Sequence, residues 1–137
     1  MEQPPEQHGT LELVYSKAPE NSNELIQRIK QVTSKEQQAV LITYGDHKPT
    51  TITIEGKQIP HFSAKWVPHI LARAANRGEP TVIGIGGIHR FKHDLILTTL
   101  LPTLLKKNKQ IIASIPTLQP DQKQDSFIQQ LLAFSDR

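Results

Sequence analysis

Two short, unbroken apolar runs constrain this chain most. Ala39 to Tyr44 (A-V-L-I-T-Y) ends at Gly45, and Thr81 to Ile85 (T-V-I-G-I) ends at Gly86-Gly87. Apolar runs without alternation are typical of central strands buried on both faces. Between them Trp66, Val67, Ile70, Leu71, Ala74 and Ala75 recur at helical spacing, predicting a helix from about Ser63 to Arg77. Pro68 falls in its first turn, where proline is tolerated, and Gly78 is a stop signal. Strands alternating with helices indicate a layered α/β domain.

The remaining elements follow the same logic. Thr10 to Ser16 alternates enough to read as a short strand. Asn21 and Glu24 resemble a capping pair ahead of Leu25, Ile26, Ile29 and Val32 at helical spacing. Thr50 to Ile54 alternates Thr and Ile as a strand, which closes at Glu55-Gly56-Lys57 or continues through Ile59, and Pro60 ends it. The two β-rich segments on either side of residue 47 are expected to form a hairpin. A third helix is expected from about His89 to Pro102, where it stops or kinks. Gln110 to Ile115 is a last strand, and Phe127, Ile128, Leu131, Leu132 and Phe134 mark a terminal helix at about 121–134. The expected fold class is therefore α/β, a single layered domain. Its sheet is mixed but mainly parallel, with about five strands and three to four helices. Residues 1–9 are expected to be a flexible leader, and 10–137 the domain.

Composition matters mainly for what it excludes. With no cysteine, the chain has no disulfide, no thiolate nucleophile and no Cys-based zinc or iron–sulfur site. The formal charge of +3 is unevenly spread. Residues 45–110 hold 10 Lys/Arg against 4 acids, a local +6, whereas residues 1–44 and the tail from Ile111 are net acidic. The polar N-terminus resembles no signal peptide. The most apolar stretch, Leu95 to Leu105, is interrupted by Thr98, Thr99, Pro102 and Thr103 and is far shorter than the ~20 residues of a membrane span. A cytoplasmic protein with no membrane partner is expected.

Gly84-Ile85-Gly86-Gly87-Ile88-His89-Arg90-Phe91-Lys92 is the segment most suggestive of chemistry. A glycine-rich strand-to-helix turn lets backbone N–H groups approach an anion, and Arg90 and Lys92 would add positive charge. The segment lacks the third glycine of a dinucleotide fingerprint and the Gly-Lys-Ser/Thr of a Walker loop. Its glycines also fit a tight turn and close packing alone. Lys65, Arg73 and Arg77 on the second helix are candidates for a nucleic-acid backbone. Trp66, on the apolar stripe, belongs with the core rather than a stacked base. His89 and His93 share a helical spacing, but the zinc-helix glutamate is Arg90 here. With His47, His61, His69 and Asp94 scattered, no metal site and no cofactor are expected. No nucleophile elbow is present, and Ser63, Ser114 and Ser126 have no base marked in the sequence. No catalytic residue is assigned.

From Tyr44 to Pro116 the chain resembles the polyvalent accessory domains appended to relaxases of conjugative plasmids. The resemblance rests on Tyr44-Gly45-Asp46, Ile52-Thr53-Ile54-Glu55-Gly56-Lys57-Gln58-Ile59, the alanine-rich helix end Ala72-Arg73-Ala74-Ala75-Asn76-Arg77-Gly78, and Gly87-Ile88-His89-Arg90-Phe91-Lys92. The leucine-rich third helix and the Gly-Ile-Gly-Gly run depart from that pattern. The resemblance implies a non-enzymatic accessory module in DNA mobilisation. Its implied partners are DNA, through the phosphate backbone, and proteins of a DNA-transfer complex. The alternative is a nucleotide or phosphate-ligand domain using Gly84, Gly86 and Gly87, and a pure interaction domain is a third.

Overall fold

The computed structural model describes residues 9–18, 23–33, 37–45, 48–54, 56–77, 81–91, 95–106, 109–116 and 126–134. Its elements in chain order are β1 (Thr10–Tyr15), α1 (Asn23–Val32), β2 (Ala39–Thr43), β3 (Thr50–Ile54), β4 (Lys57–Ser63), α2 (Val67–Arg77), β5 (Val82–Gly86), α3 (Leu95–Lys106), β6 (Gln110–Ile115) and α4 (Ser126–Phe134). Single 3-10 turns at Ala64–Trp66 and Ile88–Phe91 precede α2 and follow β5. The six strands form one sheet in the order β1-β6-β5-β2-β4-β3. Every pairing is parallel except β3 with β4. The α/β class and the mainly parallel sheet are as the sequence predicts.

Crossover handedness explains where the helices sit. The β1–α1–β2 connection carries the chain across the sheet past β6 and β5, whereas β4–α2–β5 and β5–α3–β6 carry it back. Parallel crossovers are almost always right-handed, so reversing direction moves the helix to the other face. On one face Val67, Ile70, Leu71 and Ala74 of α2 and Leu97, Leu101 and Leu104 of α3 bury Val40, Ile42, Ile83, Ile85, Ile111 and Ile115. Phe127, Ile128 and Leu131 of α4 join them, so the terminal helix is core. Among the described residues the opposite face carries α1, whose Leu25 and Ile29 pack on Leu41, Val82, Ile112 and Ile59. Among the described residues, no helix is long and apolar enough to cross a membrane.

The sheet agrees with the expected five or so strands, and several expectations about individual elements need correcting. The sheet has six strands, because Lys57–Ser63 forms β4 and inserts between β2 and β3. The hairpin therefore joins β3 to β4, with Gly56 at φ 84° in the turn, and β2 pairs with β4 in parallel. Pro60 lies inside β4; the β2–β4 ladder starts one residue later, at His61, so the missing donor costs that ladder nothing.

The third helix neither starts at His89 nor stops at Pro102. Ile88–Phe91 is a separate turn, and α3 runs from Leu95 through Pro102 to Lys106. A mid-helix proline removes one backbone donor and disfavours the helix by about 3 kcal/mol. Burial of Leu97, Leu101 and Leu104 to 3% exposure or less outweighs it. Gly9 is also part of the domain rather than of a leader. It is buried, and its N–H donates to Leu105 O at 2.6 Å. Residues 1–8 and 121–125 of the expected leader and terminal helix lie outside the described residues.

Candidate functional site

The strand order creates one place where the chain diverges. From β5 it continues to β6 on one side, and from β2 it continues to β3 and β4 on the other, although β5 and β2 are neighbours. In open α/β sheets the crevice outside the carboxyl ends of two such strands is where ligands bind. Here its walls are the residues following Gly86 and those following Thr43, which are register partners.

The β5 side is tightly anchored. Gly87 has φ 69°, a left-handed conformation that disfavours any side chain. Arg90 N–H closes the turn onto Gly87 O at 2.9 Å, and Ile88 and Phe91 on that turn are fully buried. The Gly87 N–H points inward and donates to Ser114 Oγ at 3.0 Å, with Ser114 fully buried. That amide is committed to the fold, so an anion there would have to be met by Arg90 and the turn's later amides. Arg90 itself is exposed.

The β2 side supplies an aromatic ring. Tyr44, 46% exposed, stands edge-on to Phe91 with centroids 5.4 Å apart and planes at 85°. The Arg90 guanidinium carbon lies 4.9 Å from the centre of the Tyr44 ring. The cation is thus held against an aromatic face at the mouth of the crevice, a geometry that restrains the guanidinium while leaving it charged.

On the α1 side of the same edge runs a row of small polar residues, Gly86, Thr43 and Ser63, matched in register across β5, β2 and β4. Thr43 Oγ1 lies 2.8 Å from His61 Nε2. Ser63 is fully buried, and its hydroxyl meets no hydrogen-bond partner among the described residues. An enclosed hydroxyl without a partner costs about 1–3 kcal/mol, so the edge is poised for another polar group. A ligand resting on the carboxyl edge would meet this row on one flank and the Tyr44–Arg90 pair on the other.

The sequence candidates do not form one surface. Lys65, exposed on the turn after β4, and Arg90 both lie at the carboxyl edge. Arg73 and Arg77 lie further along α2, which runs from that edge towards the amino ends of the strands; Arg73 lines a cleft there. The Arg77 side chain and all of Lys92 lie outside the described residues. Gly86 and Gly87 form the turn, but Gly84 lies below it, in mid-strand, under Ile29 of α1. Its role is close helix packing rather than phosphate approach. Trp66 is half-buried between Phe62 and His69, at the margin of the core.

Sequence reasoning missed Tyr44, Thr43, His61 and the structural part played by Ser114. Only Tyr44 carried a local signal, an aromatic residue between a buried strand and a glycine. Among the described residues, no group of three or more His, Asp or Glu side chains is placed to hold a metal. Compared with protein-family models and with curated proteins, the chain matches none.

Proposed function

We propose that this chain is a binding module whose carboxyl-edge crevice takes a phosphate-bearing ligand of the nucleotide class. The observation carrying this reading is the Arg90–Tyr44 pair, a charged guanidinium and an exposed aromatic face placed together at the point where β5 and β2 diverge. Phosphate would pair with Arg90 and the base would lie against Tyr44. The Ser63 hydroxyl, without a hydrogen-bond partner among the described residues, supplies a further polar contact on the opposite flank. A thermal-shift panel of nucleoside mono-, di- and triphosphates tests it. Ligand at about 100 times its Kd should stabilise by about 2.7 kcal/mol, and Arg90→Gln or Tyr44→Ala should abolish the gain. No stabilisation by any nucleotide sinks the reading.

A second reading is an accessory domain in conjugative DNA processing, acting through DNA-backbone and protein contacts. What favours it is that Lys65, Arg90 and the exposed Tyr44 share the carboxyl edge. Single-stranded DNA binds such combinations of cation and stacking ring. Binding should weaken with salt, and each neutralised contact should flatten the log–log slope by about 0.7. Lys65→Gln and Arg90→Gln should flatten it; Arg73→Gln, further along α2 and away from that edge, should not. Salt-independent binding, or none at low salt, removes DNA from consideration.

A further inference from the structure

β3 is the outermost strand of the sheet on the side away from β1. Its antiparallel register with β4 runs unbroken from Thr50–His61 to Ile54–Lys57. In such a ladder, pairs that exchange hydrogen bonds alternate with pairs that do not. A two-residue hairpin turn makes its flanking pair, here Ile54 and Lys57, an exchanging one. Ile52–Ile59 and Thr50–His61 share that phase, whereas Thr53–Gln58 and Thr51–Pro60 fall between. Pro60, which has no N–H, thus stands where β3 asks for none. The N–H and C=O groups of Thr51 and Thr53 therefore point away from β4, to the outer edge.

That edge is open. Thr50, Thr51 and Thr53 are exposed, and Ile52 is half-buried against the cluster beneath α1. Sheets blunt their edges with charge, proline or a bulge. Thr50–Ile54 has none of the three, since T-T-I-T-I is uncharged and proline-free and its ladder is continuous.

We propose that β3 pairs antiparallel with β3 of a second copy of this chain, about a two-fold axis at Ile52, joining two sheets into one. Only this register uses both outward residues. Centred on Ile52, Thr51 exchanges hydrogen bonds with Thr53 of the second copy, and Thr53 with its Thr51. Centred on Thr51, Thr53 would face Pro49, which has no N–H. Centred on Thr53, Thr51 would fall past the strand, at the hairpin turn. The Ile52 register also sets isoleucine against isoleucine on one face and threonine against threonine on the other. Such cross-strand pairs are favourable, and no like charges are opposed, which is what singles out a second copy as the occupant. The five-residue seam, at ~3.4 Å per residue, is about 17 Å long. An interface that small gives a weak, transient dimer. The edge lies beyond β4, away from the β5–β2 crevice, and the proposal does not depend on the nucleotide reading.

The test uses the whole chain, which has no cysteine of its own. Residues paired without hydrogen bonds have Cα atoms ~4.5 Å apart, within disulfide reach. Ile52→Cys should therefore cross-link to its own copy under mild oxidation. Thr51→Cys and Thr53→Cys should not, because each lies about 8 Å from its own mate. Sedimentation of the parent chain should show a concentration-dependent dimer. Thr51→Pro, whose lost N–H leaves the β4 ladder intact, should weaken that dimer about tenfold or more, while its amide NMR spectrum stays that of a folded chain. Failure of Ile52→Cys to cross-link, equal cross-linking at all three positions, or a dimer untouched by Thr51→Pro overturns the proposal. A parent chain that is monomeric at about 1 mM does so too, and leaves the edge to an extended segment of another protein.

Discussion

Gly84 on β5 and Ile29 on α1 are packed so closely that a Cβ on Gly84 would overlap Ile29 Cδ1 and lie 3.1 Å from its Cγ1. The glycine is what lets α1 settle onto the sheet. Gly84→Ala should destabilise the domain by about 1–3 kcal/mol through overpacking. Ile29→Val removes the overlapping atom, so the double variant should be more stable than the sum of the singles by about 1 kcal/mol. Urea denaturation of the four proteins measures it, and strict additivity would contradict the packing account.

Gly9 makes a second close approach, this time to backbone. A Cβ there would overlap Lys109 O and lie 2.7 Å from Lys109 N. Main-chain atoms cannot turn aside as a side-chain tip can. Gly9→Ala should lower stability by about 1–3 kcal/mol, and amide exchange at Thr10, which donates to Lys109 O at 3.1 Å, should accelerate. A variant as stable as the parent would show that Gly9 is dispensable.

Arg28 grips Glu12 with Nε on Oε2 at 2.6 Å and an Nη on Oε1 at 2.9 Å, joining α1 to β1. The pair is partly exposed, so a double-mutant cycle with Glu12→Gln and Arg28→Gln should return about 0.5–1 kcal/mol of coupling. The hydrogen bond to Glu12 raises the guanidinium's pKa above its ordinary value. A raised folded-state pKa stabilises fully below the unfolded value and is lost only as pH climbs through the folded one. Arg28 protonation therefore adds no slope to stability between pH 6 and 9, and the Arg28→Gln variant should run parallel to the parent across that range.

Ser114 ties β6 to the glycine turn. Ser114→Ala would leave the buried Gly87 N–H without this acceptor, at about 1–3 kcal/mol. Hydrogen exchange at Gly87 should rise more than at Ile83, which sits inside β5 before the turn. Unchanged protection at Gly87 would mean the turn holds without Ser114.

What the sequence made legible follows from how local each feature is. β2, β5 and β6 could be read because burial on both faces demands continuous apolar runs. β4 could not, because K-Q-I-P-H-F-S mixes polar residues with a proline, and it is a strand through its pairing with β3 on one side and β2 on the other. Pro102 misled because a local penalty was weighed without the buried leucines that offset it. At the site, the Gly86-Gly87-Arg90 turn was visible in one segment. Its pairing with Tyr44, and the Thr43–Ser63 row, join residues brought together only by strand order. The open edge at β3 is likewise a property of strand order.

The edge pairing of β1 with β6 also sets a schedule. Thr10 lies opposite Gln110, so the first strand made must wait for the last before it has a neighbour. At ~5–20 residues per second, translation of the intervening chain takes about 5–20 s. Throughout that interval β1 can form no native ladder. β1 is thus the last described strand of the sheet to be seated, although α1 can already dock on β2 and β5. Leu11 and Leu13 of β1, fully or almost fully buried in the finished fold, must be kept from wrong partners until then.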